Sequence, residues 1–175
     1  MFRNEQEQGH AMVEMTVEGI GIDESKNTHV LLRDAHNRRF LPIWIGPAEA
    51  VSIAMELEHR EPPRPMTHDL MANILKVIGV GIDHVVVSEF KEKTFYATIR
   101  LRAGGTTQDI DARPSDAIAL ALRANASIFV KDDVAASASI VLEEGDGEQE
   151  PVGTASPHEI ERFMRLVEGV DLGSE

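Results

Sequence analysis

From Met12 to Ile22 polar and apolar residues alternate. Met12, Glu14, Thr16 and Glu18 fall on one side, and Val13, Met15 and Val17 on the other. A period of two is that of a strand with one buried face, and Gly19 and Gly21 allow a bend or bulge near its end. A turn over Asp23 to Thr28 leads to a second strand, His29 to Arg33. A tight turn over Asp34 to Asn37 leads to a third, Arg38 to Ile45. Pro42 lies inside the third strand; lacking an N–H, it points to an edge position or a break in the ladder. The three strands read as a meander or two hairpins.

The period then lengthens. Gly46-Pro47 opens a helix in which Ala50, Ile53, Ala54 and Leu57 form the inner face and Glu49, Ser52, Glu56 and Arg60 the polar stripe, with Pro47 at the first helical position. Three prolines between Glu61 and Pro65 exclude helix there and make a stiff, extended loop. Thr67 is placed to cap a second helix whose predicted buried face is Leu70, Met71, Ile74, Leu75 and Ile78, with Gly79 ending it in the left-handed conformation. Strands follow over Asp83 to Phe90, Thr94 to Arg102 and Thr106 to Asp111, the last two joined at Gly104-Gly105. Pro114 then begins a third helix. Its run AIALALRA is apolar nearly all round and predicts deep burial. Ser127 to Val130 is a short buried strand, and a helical turn runs to Ala138. Hairpins interspersed with helices predict an α+β fold. Residues 11–142 form the core domain. Residues 143–175 form an acidic linker and a short amphipathic helix, capped at Ser156, with Ile160, Phe163, Met164 and Val167 on one stripe. That helix is suited to dock on the domain or on a protein partner.

Charge changes the picture more than composition does. The net charge is -13, and ten acidic against two basic residues between Glu143 and Glu175 leave only -5 for the rest. An acidic molecule repels phosphate at long range, so a nucleic-acid site here has to be local. There is no cysteine, which excludes disulfides and thiolate chemistry. The N-terminus MFRNEQEQGH has no apolar core of a signal peptide, and no apolar run reaches spanning length. A soluble cytoplasmic protein without a membrane partner is expected. Ile43, Trp44 and Ile45 make the third strand apolar on both faces. Such a strand needs cover from a helix or a second subunit, which favours a homo-oligomer, a dimer or larger.

The segments FLPIWIG (Phe40 to Gly46), Glu49-Ala50, RPMTHDL (Arg64 to Leu70), TFYA (Thr94 to Ala97) and DARPSDAIALALR (Asp111 to Arg123) occur in that order. Together they resemble the bifunctional nuclease family, a domain first described without a function and widespread in bacteria and plants. The resemblance covers roughly Val13 to Leu142. It implies a mixed, largely antiparallel sheet flanked by helices, an oligomer, and DNase or RNase activity. It brings no settled set of catalytic residues.

Two segments share a local grammar. Arg64-Pro65-Met66-Thr67-His68-Asp69 and Arg113-Pro114-Ser115-Asp116 each put an arginine before a helix start and a carboxylate in its first turn. Helix starts expose unpaired amides that attract anions, and arginine adds a fork suited to phosphate. Convergence of the two would make a phosphate clamp. The plainer alternative is that Asp69 and Asp116 cap their helices while the arginines pair with them. His68 is the candidate general base, because its ordinary pKa is near neutral, and Arg64 or Arg113 the candidate for neutralising charge at phosphorus. For Mg²⁺ or Mn²⁺ the candidate ligands are Glu49, Glu56 and Asp111, with Asp69 and Asp116 as further oxygen donors. Glu49 and Glu56 are two helical turns apart, about 10 Å, too far to share one ion easily. Three readings result: a nuclease acting on RNA, DNA or both; a non-catalytic module binding a phosphate ligand; and a structural oligomer. Whether Arg64, His68, Arg113 and Asp116 line one cleft separates the first two from the third.

Overall fold

A computed structural model describes residues 11–23, 25–36 and 39–141. The expectations for Met1 to His10, Arg38, and the acidic tail with its last helix lie outside these residues. The chain forms strands β1 (Met12–Ile22), β2 (Thr28–Asp34) and β3 (Arg39–Ile45), then helices α1 (Pro47–Leu57) and α2 (Thr67–Val77). The hairpins of β4 (Gly81–Lys91), β5 (Thr94–Ala103) and β6 (Thr106–Ala112) come next. Helix α3 (Pro114–Ala124), β7 (Ser127–Lys131), α4 (Asp132–Ala138) and the two-residue β8 (Ile140–Val141) complete it.

The strands form one sheet in the order β6-β5-β4-β7-β1-β2-β3-β8. It is mixed and largely antiparallel: β7 runs parallel to β4, and every other pairing is antiparallel. The late strand β7 thus joins two antiparallel halves, β1 to β3 on one side and β4 to β6 on the other. Parallel pairing needs a long crossover, and the β4-to-β7 connection contains β5, β6 and α3. Beyond Phe40, where its pairing with β8 ends, β3 is an outer strand, the setting Pro42 calls for. Gly104 and Gly105 adopt φ of 55° and 82° in the two-residue turn of the β5–β6 hairpin, the left-handed pair that twists a tight hairpin correctly.

The core is aliphatic. Val30, Leu32, Leu41, Ile53, Ile118 and Val130 are fully enclosed, and Val30, Leu31 and Leu32 in succession show that β2 is covered on both faces. Helix α1 packs on β1, β2 and α3, whereas α3 packs on β4, β5 and β7. Helix α3 is buried at Pro114, Ser115 and Ala117 to Ala121, as its composition predicts, with Asp116 half-buried and the last turn opening toward the surface.

Helix α2 departs from expectation. It packs chiefly on α3, and Leu70, Met71, Ile74, Val77 and Ile78 are exposed. The inner stripe is His68, Ala72 and Leu75, His68 being the buried residue. The phase of the helix is therefore shifted by about one position from the expected one. Its most apolar side faces away because the inner side is given to a polar contact with the other two helices. The cap is shifted too. Met66 holds the cap position and Thr67 is the first helical residue, while the Asp69 carboxylate accepts the Met66 amide at 2.7 Å. Gly79 ends the helix with φ of 74°, as predicted.

Candidate functional site

The starts of α1, α2 and α3 meet beside β6. Helices α1 and α3 each start on a proline, Pro47 and Pro114, whereas α2 starts after the proline loop with Asp69 accepting the Met66 amide. Between them lies a cleft of about 490 Å³ whose lining includes Glu49, Ser52, His68, Asp111, Arg113 and Asp116.

A line of polar contacts crosses this cleft. Ser52 Oγ lies 2.8 Å from His68 Nδ1, and His68 Nε2 lies 3.1 Å from Asp116 Oδ1. Arg113 holds Asp116 with two bonds, Nε to Oδ2 at 2.7 Å and Nη2 to Oδ1 at 2.9 Å. Its Nη1 reaches Glu49 Oε1 at 2.8 Å. Burial works to raise the Asp116 carboxyl, but the bonds from Arg113 and His68 outweigh it and hold the pKa below the ordinary 3.8. Asp116 is therefore ionised at neutral pH and can only accept. Nε2 is then the donor in the His68–Asp116 bond, and in the tautomer that carries this one proton Nδ1 accepts from the Ser52 hydroxyl. Both ring nitrogens are engaged, and the group in direct reach of the basic nitrogen is Ser52. The side chain of Arg113 is 65% exposed, so it meets whatever enters the cleft.

A second network braces the first from behind. Arg123 Nε donates to Asp69 Oδ1 at 2.6 Å, Nη1 to the Ala119 carbonyl at 2.9 Å and Nη2 to the Ser52 carbonyl at 3.2 Å. Its side chain is 7% exposed. One guanidinium thus fixes the backbone at Ser52, the start of α2 that carries His68, and the body of α3.

His68, Arg113, Asp116, Glu49 and Asp111 come together at the cleft as sequence-level candidates. Asp69 turns to Arg123 instead, and Glu56 lies 4.0 Å from the same guanidinium. Arg64 is exposed and outside the cleft lining. Of the candidate metal ligands, Glu49 and Asp111 line the cleft and Glu56 does not. Among the described residues no three His, Asp or Glu side chains gather to hold an ion. Ser52 and Arg123 escaped the sequence reading. Helical spacing puts Ser52 on an outer polar stripe, yet Ala50 to Ala54 are buried in succession; the small, apolar run around it is the available signal. Arg123 lies in the α3 run that reads as buried, where a charge requires partners.

Fold and cleft together define an α+β protein with an imidazole, its carboxylate and an exposed guanidinium arrayed around one opening. The chain belongs to the bifunctional nuclease family: the match to the bifunctional nuclease domain spans residues 30–143, most of the described structure. Two relatives from Mycobacterium tuberculosis are the uncharacterized protein MT1877 of strain CDC 1551 / Oshkosh and the uncharacterized protein Rv1829 of strain ATCC 25618 / H37Rv. Each is 36% identical over 160 residues, covering 91% of this chain and 95% of the relative. Among the described residues no helix is long and apolar enough to cross a membrane.

Proposed function

We propose that this cleft hydrolyses phosphodiester bonds of RNA, DNA or both, with the His68–Asp116 pair accepting a proton and Arg113 neutralising charge at phosphorus. The observation that carries the reading is the unbroken line Ser52–His68–Asp116–Arg113 across one cleft. Hydrolysis needs an activated water and stabilisation of the charge that develops on the phosphoryl oxygens. Ser52 is 2% exposed, too recessed for in-line attack on phosphorus. Its hydroxyl serves as a relay: a water bonded to Oγ gives it a proton as Ser52 gives its own to His68 Nδ1. The water oxygen bonds phosphorus as the P–O bond to the leaving group breaks; the resulting imidazolium, stabilised by ionised Asp116, returns its proton through Ser52 to the leaving oxygen. Contacts to Asp116 and Glu49 use three of the five guanidinium donors of Arg113, which leaves two for a phosphate. Asp69 and Arg123 are positioning residues in this scheme, and Arg64 has no part in it.

The test is hydrolysis of labelled single-stranded RNA and DNA by purified full-length protein, with EDTA or with Mg²⁺ or Mn²⁺ added. His68→Ala is expected to lower the rate by about 10²- to 10⁴-fold and Arg113→Ala by about 10²-fold, in variants that unfold at the wild-type temperature. Equal activity in wild type and both variants would sink the reading. No activity under any condition would favour a phosphate-ligand-binding module instead, and the EDTA lane decides the metal requirement. We further propose that the protein self-associates through the exposed apolar side of α2.

A further inference from the structure

A second groove, of about 790 Å³, opens on the other side of the α3 start. Its lining comes from the end of β3, the β4–β5 hairpin, Arg113 to Ser115, and the α4–β8 corner. We propose that this groove binds the unpaired bases of a single-stranded nucleic acid whose backbone passes Arg113 into the His68 cleft. The proposal rests on the nuclease reading for its direction, and on independent features of the groove for its chemistry.

The first feature is a pair of supported aromatic faces. Trp44 is 57% exposed and Phe90 39% exposed. Each is backed by a second ring: Trp44 by His29, centroids 5.9 Å apart, and Phe90 by Phe95, centroids 4.3 Å apart. His29 is itself buried, so the indole stands on a fixed base. In a chain with only 5% aromatic residues, two braced and exposed rings in one groove are well suited to base stacking. Every base has a π-face, so stacking tolerates any sequence.

The second feature is charge. Among the lining residues are two cations, Lys93 and Arg113, the second already paired with Asp116 and Glu49 outside the groove, and no Asp or Glu. On a protein of net charge -13, that is the local relief a phosphate backbone needs. Lys93 also stands in an unfavourable backbone state. In the β4–β5 turn Glu92 and Lys93 have φ of 50° and 61°, positions where glycine and asparagine are favoured. The third feature is continuity, since Arg113 lines both the groove and the cleft. A strand lying along the groove brings its next phosphate to the guanidinium that touches Asp116.

Binding is measured by fluorescence anisotropy with a labelled, hydrolysis-resistant phosphorothioate dodecamer, single-stranded or annealed to its complement. The full-length protein is used, and hydrolysis is assayed in parallel. The single strand is expected to bind at least tenfold more tightly than the duplex. Trp44→Ala and Phe90→Ala are each expected to weaken it by about 5- to 100-fold. Lys93→Gly relieves the turn, so its melting temperature is expected to match or exceed wild type, while binding weakens and the log–log salt slope falls by about 0.7. A Lys93→Gly protein that binds as wild type, stacking variants with unchanged affinity, or equal affinity for duplex would each overturn the proposal. So would a change of oligomeric state in Trp44→Ala with binding unaltered, which would make the groove a contact between copies. Hydrolysis lost in His68→Ala with normal binding by Trp44→Ala would remove the groove and keep the nuclease. Stacking-dependent binding without hydrolysis by wild type would do the reverse.

Discussion

Arg123 and Asp69 show how much of the site is held by residues that stand away from its opening. Burial works to raise the Asp69 carboxyl, but the hydrogen bonds from Arg123 and the Met66 amide outweigh it and keep the pKa below the ordinary 3.8. A carboxylate lowered on folding adds stability that is complete above its unfolded pKa and is lost as pH falls through the folded value. Asp69→Asn should therefore cost about 2 kcal/mol near pH 7, the scale of a charge-assisted hydrogen bond, and progressively less at an acid pH, as wild-type Asp69 takes up its proton below the ordinary 3.8. Chemical unfolding of both proteins at the two pH values measures it; an equal gap at both would remove Asp69 as the source. At this scale the sequence announced His68, Arg113 and Asp116 through their chemistry and their place at helix starts. It did not announce Ser52 or Arg123. Their importance comes from a contact between α1, α2 and α3 at separations of 16 and 54 residues, which no local pattern records.

Elements were more legible than contacts. The alternation in β1, the double-glycine turn and the proline at the start of α3 each specify their local structure directly. The phase of α2 was not legible, because an amphipathic reading assumes that the most apolar side faces inward. Here His68 takes the inner side and the apolar residues are turned out, with Val77 at 84% exposure. Unpartnered apolar sides of this kind mark interaction surfaces. Ile74→Asp should leave the unfolding free energy of the subunit within about 0.5 kcal/mol, as for surface changes generally, while shifting the protein to a smaller species in sedimentation velocity. A wild-type protein that sediments as a monomer at micromolar concentration would refute the α2 interface.

Across the whole molecule the acidic balance sets the terms on which any polyanion approaches. Residues 143–175 carry -8 of the -13. Their removal should raise the association rate with a single-stranded oligonucleotide at low ionic strength, and the gain should vanish near about 1 M salt, where the screening length is about 3 Å. Stopped-flow mixing across a salt series reads it; a gain that persists at high salt would mean the segment acts by contact rather than by charge. Arg113 adds a more selective barrier. Its guanidinium already has two internal anions, Asp116 and Glu49, so an isolated phosphate enters as a third competitor with little to offer. A chain molecule anchored elsewhere on the surface arrives with a high effective concentration and can win that competition. With the groove and the cleft acting as proposed, the protein works as a coincidence detector: a ligand long enough to satisfy two places at once is favoured over a small phosphate that can satisfy only one.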